Sequence, residues 1–120
     1  MLHLQLKQEI EQHLAAHLEK PLELCLDALL VHLNNGVVLE LRCQSNEEYS
    51  LGWSWGDVQL RIDTAPLHPQ LATFPNHLHD ADGSLRADVL THPGADCWDN
   101  VRTLLLHLLQ DPLMVEISAA

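Results

Sequence analysis

Apolar residues recur at every fourth position near the start of the chain, at Leu6, Ile10, Leu14 and Leu18. That spacing lines one face of a helix, predicted over Leu4–Glu19 and stopped by Pro21. The period then changes. Leu22–Leu33 is mostly apolar and reads as a central strand, with a helix as the alternative because of its leucine content. Asn34-Asn35-Gly36 marks a turn. Val37–Cys43 alternates, with Val37, Leu39 and Leu41 on one face and Glu40 and Arg42 on the other. Glu47–Trp55 alternates again, aligning Tyr49, Leu51, Trp53 and Trp55. Gly56-Asp57 turns the chain into Val58–Asp63. Consecutive strands joined by tight turns predict an antiparallel meander.

The pattern stops after Asp63. Thr64–Gly83 contains Pro66, Pro69, Pro75 and Gly83, and no period survives in it. A long irregular stretch in a compact domain is usually functional, disordered or a missed element. Leu85–Leu90 reads as a short edge strand. Trp98–Leu109 reads as a second helix with Val101, Leu104, Leu105 and Leu108 on its apolar face, Asp96 or Asp99 as N-cap, and Pro112 closing it. The tail Met114–Ala120 is expected to be a short strand or frayed. The fold class is therefore α+β: an antiparallel meander sheet of about four to six strands packed against an N-terminal and a C-terminal helix, in one domain spanning 1–120.

Composition changes this picture in three ways. A formal charge of -11, from 17 acids against 6 bases, repels phosphate backbones over most of the surface and leaves room only for a local nucleic-acid pocket. The same balance suits docking to a basic partner. Cys25, Cys43 and Cys97 form an odd set with no CxxC spacing, a poor disulfide or zinc framework, so buried free thiols in a reducing compartment are expected. Met1–Lys20 carries charges throughout, which fits neither a signal peptide nor a membrane span, and a cytoplasmic location is expected.

The candidate chemistry lies in Arg61–Asp80. Prolines stiffen this loop, and Phe74 is expected to anchor it to the core. His77 and His79 alternate, so in extended chain both project to one side. Asp63 ends the strand leading into the loop, and Asp80 follows His79. Imidazoles beside carboxylates can work as general acid and base near neutral pH, or ligate a metal. Arg61 can steady a phosphate or a developing negative charge. The structural alternative is that His68, His77 and His79 hold loop carbonyls and clasp the loop shut.

The run RIDTAPLHPQLATFPNHLHD resembles the signature of the TumE-like toxin family of type II toxin–antitoxin pairs. Arg61, Asp63, Ala65, Pro66, His68, Pro69, Thr73, Phe74, Pro75, His77 and His79 match that pattern. The preceding Tyr49-Ser50-Leu51-Gly52-Trp53 resembles the family's aromatic strand, and the order of helix, meander, histidine loop and closing helix is similar. Thr64 stands where the family tends to have Asn, Gln70 where it has Glu, and Leu67 and Asn76 where it has histidines. The polar cluster is thinned accordingly. The resemblance implies a growth-inhibiting toxin held in check by a cognate antitoxin, often a small helix-turn-helix protein. An RNA target follows only by analogy with other small toxins.

The expected site is thus Arg61, Asp63, His68, His77 and His79, acting as acid–base groups or phosphate contacts of a ribonuclease-like toxin. No cofactor is expected, and a divalent metal at the loop is the less favoured reading. Homodimerisation is compatible with the sequence. A non-catalytic interaction module is the alternative function, with the loop as a structural clasp and the acidic surface binding a partner. Elsewhere, Glu9, His13 and His17 share one helix face but lack a zinc-protease pattern, and a solvated face is expected. Tyr49, Trp53 and Trp55 are expected in packing rather than base stacking.

Overall fold

The computed structural model describes residues 2–118. Helix α1 spans His3–Leu14 and buries Leu6, Ile10 and Leu14, as the i+4 stripe requires. The helix stops earlier than its pattern predicts. Ala15–His17 tightens into a 3₁₀ turn, and Leu18 leaves the helix to form an isolated antiparallel bridge with Leu33.

The seven strands are β1 (Glu23–Cys25), β2 (Ala28–His32), β3 (Val38–Cys43), β4 (Tyr49–Trp55), β5 (Val58–Asp63), β6 (His77–His79) and β7 (Leu85–Ala87). They pair antiparallel in chain order, forming one meander. The predicted single strand over Leu22–Leu33 is instead a hairpin. The chain reverses at Leu26-Asp27, Leu24 pairs with Leu29, and β1 lies at the sheet edge. Leu24 and Leu26 are consequently exposed. Uniform leucine content concealed this reversal, since no glycine or proline marks it. The strand count exceeds the expected four to six for two reasons, this split and the appearance of β6 inside the supposedly irregular loop. Cys25 is exposed on β1, contrary to the expectation of three buried thiols, whereas Cys43 and Cys97 are buried.

Helix α2 spans Cys97–Leu108, and the side chain of Asp96 accepts from the amide of Trp98, so Asp96 is the N-cap. The tail is neither strand nor frayed over its described part. Val115–Ser118 forms a short helical turn, α3, whose Val115 and Glu116 amides donate to the Asp111 carboxylate. Ala119 and Ala120 lie outside the described residues.

Strand alternation sorts the sheet into two faces. Leu29, Val31, Leu39, Leu41, Leu51, Trp53, Leu60, Ile62 and Leu78 form one buried cluster with Leu6 and Ile10 of α1 and Val101, Leu104, Leu105 and Leu108 of α2. The opposite face carries Glu40, Arg42, Ser50, Gly52, Ser54, Gln59 and Arg61 around an open groove. Trp53 binds the layers at one end by donating its indole N–H to the carbonyl of Pro112 at 2.8 Å. Tyr49 and Trp53 pack in the core as expected, while Trp55 is partly exposed and donates to the carbonyl of Asn35. Among the described residues, no helix is long and apolar enough to cross a membrane.

Candidate functional site

The sequences Arg61-Ile62-Asp63 and His77-Leu78-His79 are neighbouring strands in register: Arg61 faces His79, Ile62 faces Leu78, and Asp63 faces His77. Ile62 and Leu78 are buried in the core. A one-residue slip of either strand would carry its apolar residue into the polar layer, so Ile62 and Leu78 lock the pairing. Alternation then forces Arg61, Asp63, His77 and His79 into a block of four on the open face.

Their atoms converge. Nε2 of His77 lies 3.0 Å from Asp63 Oδ1, and Nε2 of His79 lies 3.2 Å from Asp63 Oδ2. The two Nε2 atoms are 3.0 Å apart. Arg61 donates from Nε to Asp63 Oδ2 at 2.9 Å, and its Nη2 lies 3.1 Å from His79 Nε2. The amide of Ala65 donates to Asp63 Oδ1 at 3.1 Å. His68 stands edge-on to His77 with ring centroids 4.8 Å apart. The structure therefore brings together all five residues expected from sequence. Asp80 is not among them, because its carboxylate pairs with Arg86 at 2.7 Å.

Depth divides their roles. His77 is only 1% exposed, and its side chain reaches solvent far less than that of His79 at 32% or Arg61 at 50%. Burial works to raise the Asp63 carboxyl, but the Ala65 amide, then His77 and Arg61, outweigh it and hold Asp63 below the usual carboxylate range. His79 moves the other way from a typical paired imidazole. Burial first, and then the neighbouring Arg61 guanidinium, lower it below the ordinary histidine value against the pull of Asp63. Its neutral form is favoured accordingly.

Nδ1 of His77 faces the carbonyl of Pro75 at 3.2 Å, which requires a hydrogen on that nitrogen. Nε2 of His79 faces an Arg61 N–H, which requires a lone pair there. Two imidazole nitrogens and a carboxylate then converge, and the contact is favourable when a cation lies between them. A metal ion meets that need.

The loop that delivers β6 is held by polar bonds. Phe74 does not anchor it to the core, being 44% exposed. Leu67 and Gln70 also face outward. Thr64 instead closes the start of the loop, accepting from the Tyr49 amide at 3.0 Å. Thr73 Oγ1 donates to the Asn76 carbonyl and accepts from the Asp88 amide, both at 2.9 Å. Asn76 is buried and donates to Asp88 Oδ2 and to the Thr91 carbonyl, both at 2.8 Å. Thr91 bonds both Asp88 and the Tyr49 hydroxyl. Proline-braced chain pinned in this way keeps its geometry, with Phe74–Pro75 in the cis form. Sequence reasoning missed Asp88 and Thr91. The available signal was the Asp88 side chain capping its own turn, where Oδ1 accepts from the Leu90 and Thr91 amides.

Fold and block together define a small α+β protein with a histidine–carboxylate–guanidinium centre on an uncovered sheet face. The chain belongs to the TumE toxin family: the family model described as Toxin TumE matches residues 6–112. No curated protein matches the chain, and no solved structure does. Membership makes it a toxin of a toxin–antitoxin system, with a cognate antitoxin as partner.

Proposed function

We propose that this toxin inhibits growth by cleaving RNA phosphodiester bonds through acid–base chemistry at the Arg61–Asp63–His77–His79 block. The observation that carries the reading is the partly exposed His79, lowered in proton affinity, backed by a buried imidazole and a carboxylate and flanked by a guanidinium. His79 takes the proton from a ribose 2′-hydroxyl as that oxygen attacks the adjacent phosphorus. Asp63 stabilises the imidazolium that forms. Arg61 turns from His79 to the phosphate and neutralises the charge that grows on its oxygens. His68, at the rim beside His77, returns a proton to the departing 5′-oxygen. The products are a 2′,3′-cyclic phosphate and a 5′-hydroxyl, with no net loss or gain of protons. His77 touches no substrate and fixes the orientation of His79 and Asp63.

The test is cleavage of a defined RNA by purified protein, with growth inhibition measured in parallel. His79→Ala and His68→Ala should each lose both while remaining folded. Undiminished toxicity in a folded His68, His77 and His79 triple variant removes the reading.

The donor set supports a second reading. Asp63, His77 and His79 offer ligand atoms all within 4.8 Å of one another, with a Pro75 carbonyl behind His77 as metal-bound imidazoles usually have. In that case a divalent ion lies between the two imidazoles and the carboxylate. Elemental analysis of protein purified without a histidine tag decides between them: about one ion per chain selects the metal, and less than about a tenth rejects it.

A further inference from the structure

The sheet face opposite the helices carries a groove of about 480 Å³, within the usual size range of small-ligand sites. Its floor is the open side of β4, where alternation leaves Ser50, Gly52 and Ser54. Longer side chains rise on either side, Glu40 and Arg42 from β3 and Arg61 from β5. Register makes the crossing a single row. Glu40 faces Gly52, Gly52 faces Arg61, and Arg61 faces His79. With strands about 4.8 Å apart, that row spans roughly 14 Å of backbone. A Cβ added at Gly52 would meet Cγ of Arg61 at 3.8 Å and the Leu60 carbonyl at 3.9 Å. Both are ordinary van der Waals distances, so the floor at Gly52 is bordered by the aliphatic stem of Arg61 and its height is set by the missing side chain.

We propose that this row is a nucleotide subsite for single-stranded RNA. One base lies over Gly52, its phosphate reaches Arg61 and His79, and its polar edge meets Glu40 and Arg42. The proposal deepens and rests on the phosphodiester reading above. Its guanidinium groups support it: Arg42 and Arg61 are two of only 6 lysines and arginines in a chain with 17 acids, and both line this groove. Each is held by carboxylates, Arg42 by Glu40 and Asp27 and Arg61 by Asp63, so they offer a phosphate directed N–H donors rather than a positive field. Chemistry supports it as well. Arg42 pairs with Glu40 at 2.5 Å, setting N–H donors beside carboxylate acceptors. A base that offers a keto oxygen next to imino and amino hydrogens satisfies both, and guanine has that edge. Only an unpaired strand can turn such an edge into a trough, because a duplex keeps it paired.

The test titrates the isotopically labelled full chain with a 2′-O-methyl RNA oligonucleotide containing guanine. That probe lacks the attacking hydroxyl and cannot be cleaved. Amide signals of Gly52, Ser54 and Arg61 should shift on binding. Gly52→Leu should weaken binding at least tenfold while its amide spectrum remains that of a folded protein, and Ser54→Phe, at a position that faces Gln59 rather than Arg61, gives the same reading if that variant does not fold. The same sequence as a duplex should bind at least tenfold more weakly. Absence of shifts at the groove, equal affinity after the groove is filled, or response of these amides to an acidic peptide but not to RNA overturns the subsite. The two proposals fail separately. Groove binding with no cleavage of ordinary RNA removes the acid–base chemistry alone, and cleavage indifferent to Gly52→Leu removes the subsite alone.

Discussion

His77 and His79 meet Nε2 to Nε2 at 3.0 Å across one side of a strand, yet one ring is buried and the other reaches solvent. Their adjacency follows from the period of the strand. Their inequality follows from the loop, because His77 is covered by the Pro75 carbonyl and the His68 ring while His79 opens onto the groove. Substitution should separate the two. His79→Ala is expected to lower RNA cleavage by about 10²–10⁴-fold, the usual contribution of a general base, with little change in melting temperature. His77→Ala should cost stability on the order of 1–3 kcal/mol by leaving buried partners unpaired, measured by denaturant unfolding. Equal melting temperatures for the two variants would contradict this division.

Lowered values at Asp63 and His79 set the pH response. A carboxyl held below its unfolded value contributes stability above about pH 4, and that contribution disappears as pH falls through the folded value. An imidazole held below its unfolded value follows the same sign. The unfolded chain binds the proton first, so the contribution is complete above about pH 6.5 and falls as pH drops toward the folded value. His3 adds to the same trend, since burial lowers it and its Nε2 accepts from the Cys43 amide at 3.0 Å. Unfolding free energy should therefore decline as pH falls from 7.5 to 5.5, and cleavage should decline with it. Asp63→Asn should shift the acid limb of the activity profile. A profile flat through this window would contradict the assignment of His79 as base.

Asn76 is expected to be a latch rather than a weakened catalytic group. Its amide donates to Asp88 and Thr91 inside the domain. Asn76→Ala should cost on the order of 1–3 kcal/mol by stranding those acceptors. Asn76→Asp, nearly the same shape, should be worse, because it sets a second carboxylate against Asp88. Thermal melts of the two variants give the comparison, and a milder effect for Asp than for Ala would overturn it.

Thiol labelling should be selective. Cys25 is exposed on β1, whereas Cys43 and Cys97 are buried with their Sγ atoms 2.9 Å apart. In folded protein a maleimide should modify one thiol per chain, at Cys25, with the other two reacting only in denaturant. Labelling of all three at similar rates in native buffer would contradict the burial of α2 against the sheet.

Much of this protein is legible in its sequence because short-range periodicity reports which face of an element is buried. The stripe at Leu6, Ile10 and Leu14, the alternation through β3, β4 and β5, and the cap at Asp96 each specify an element locally, and the order of elements specifies the meander. The Arg61–His79 signature likewise contains the five polar residues that the fold brings together. Three-dimensional packing decided the remainder. Nothing local marks the reversal at Leu26-Asp27, which exists because both halves of a leucine-rich run find pairing partners. Nothing local makes His77-Leu78-His79 a strand either. Three residues have no measurable period, and they become extended only by pairing with β5 and β7 while Leu78 enters the core. That pairing, between residues distant in sequence, assigns His77 to burial and His79 to the open groove. Composition and spacing are identical for the two rings, and only the atoms packed around each distinguish them.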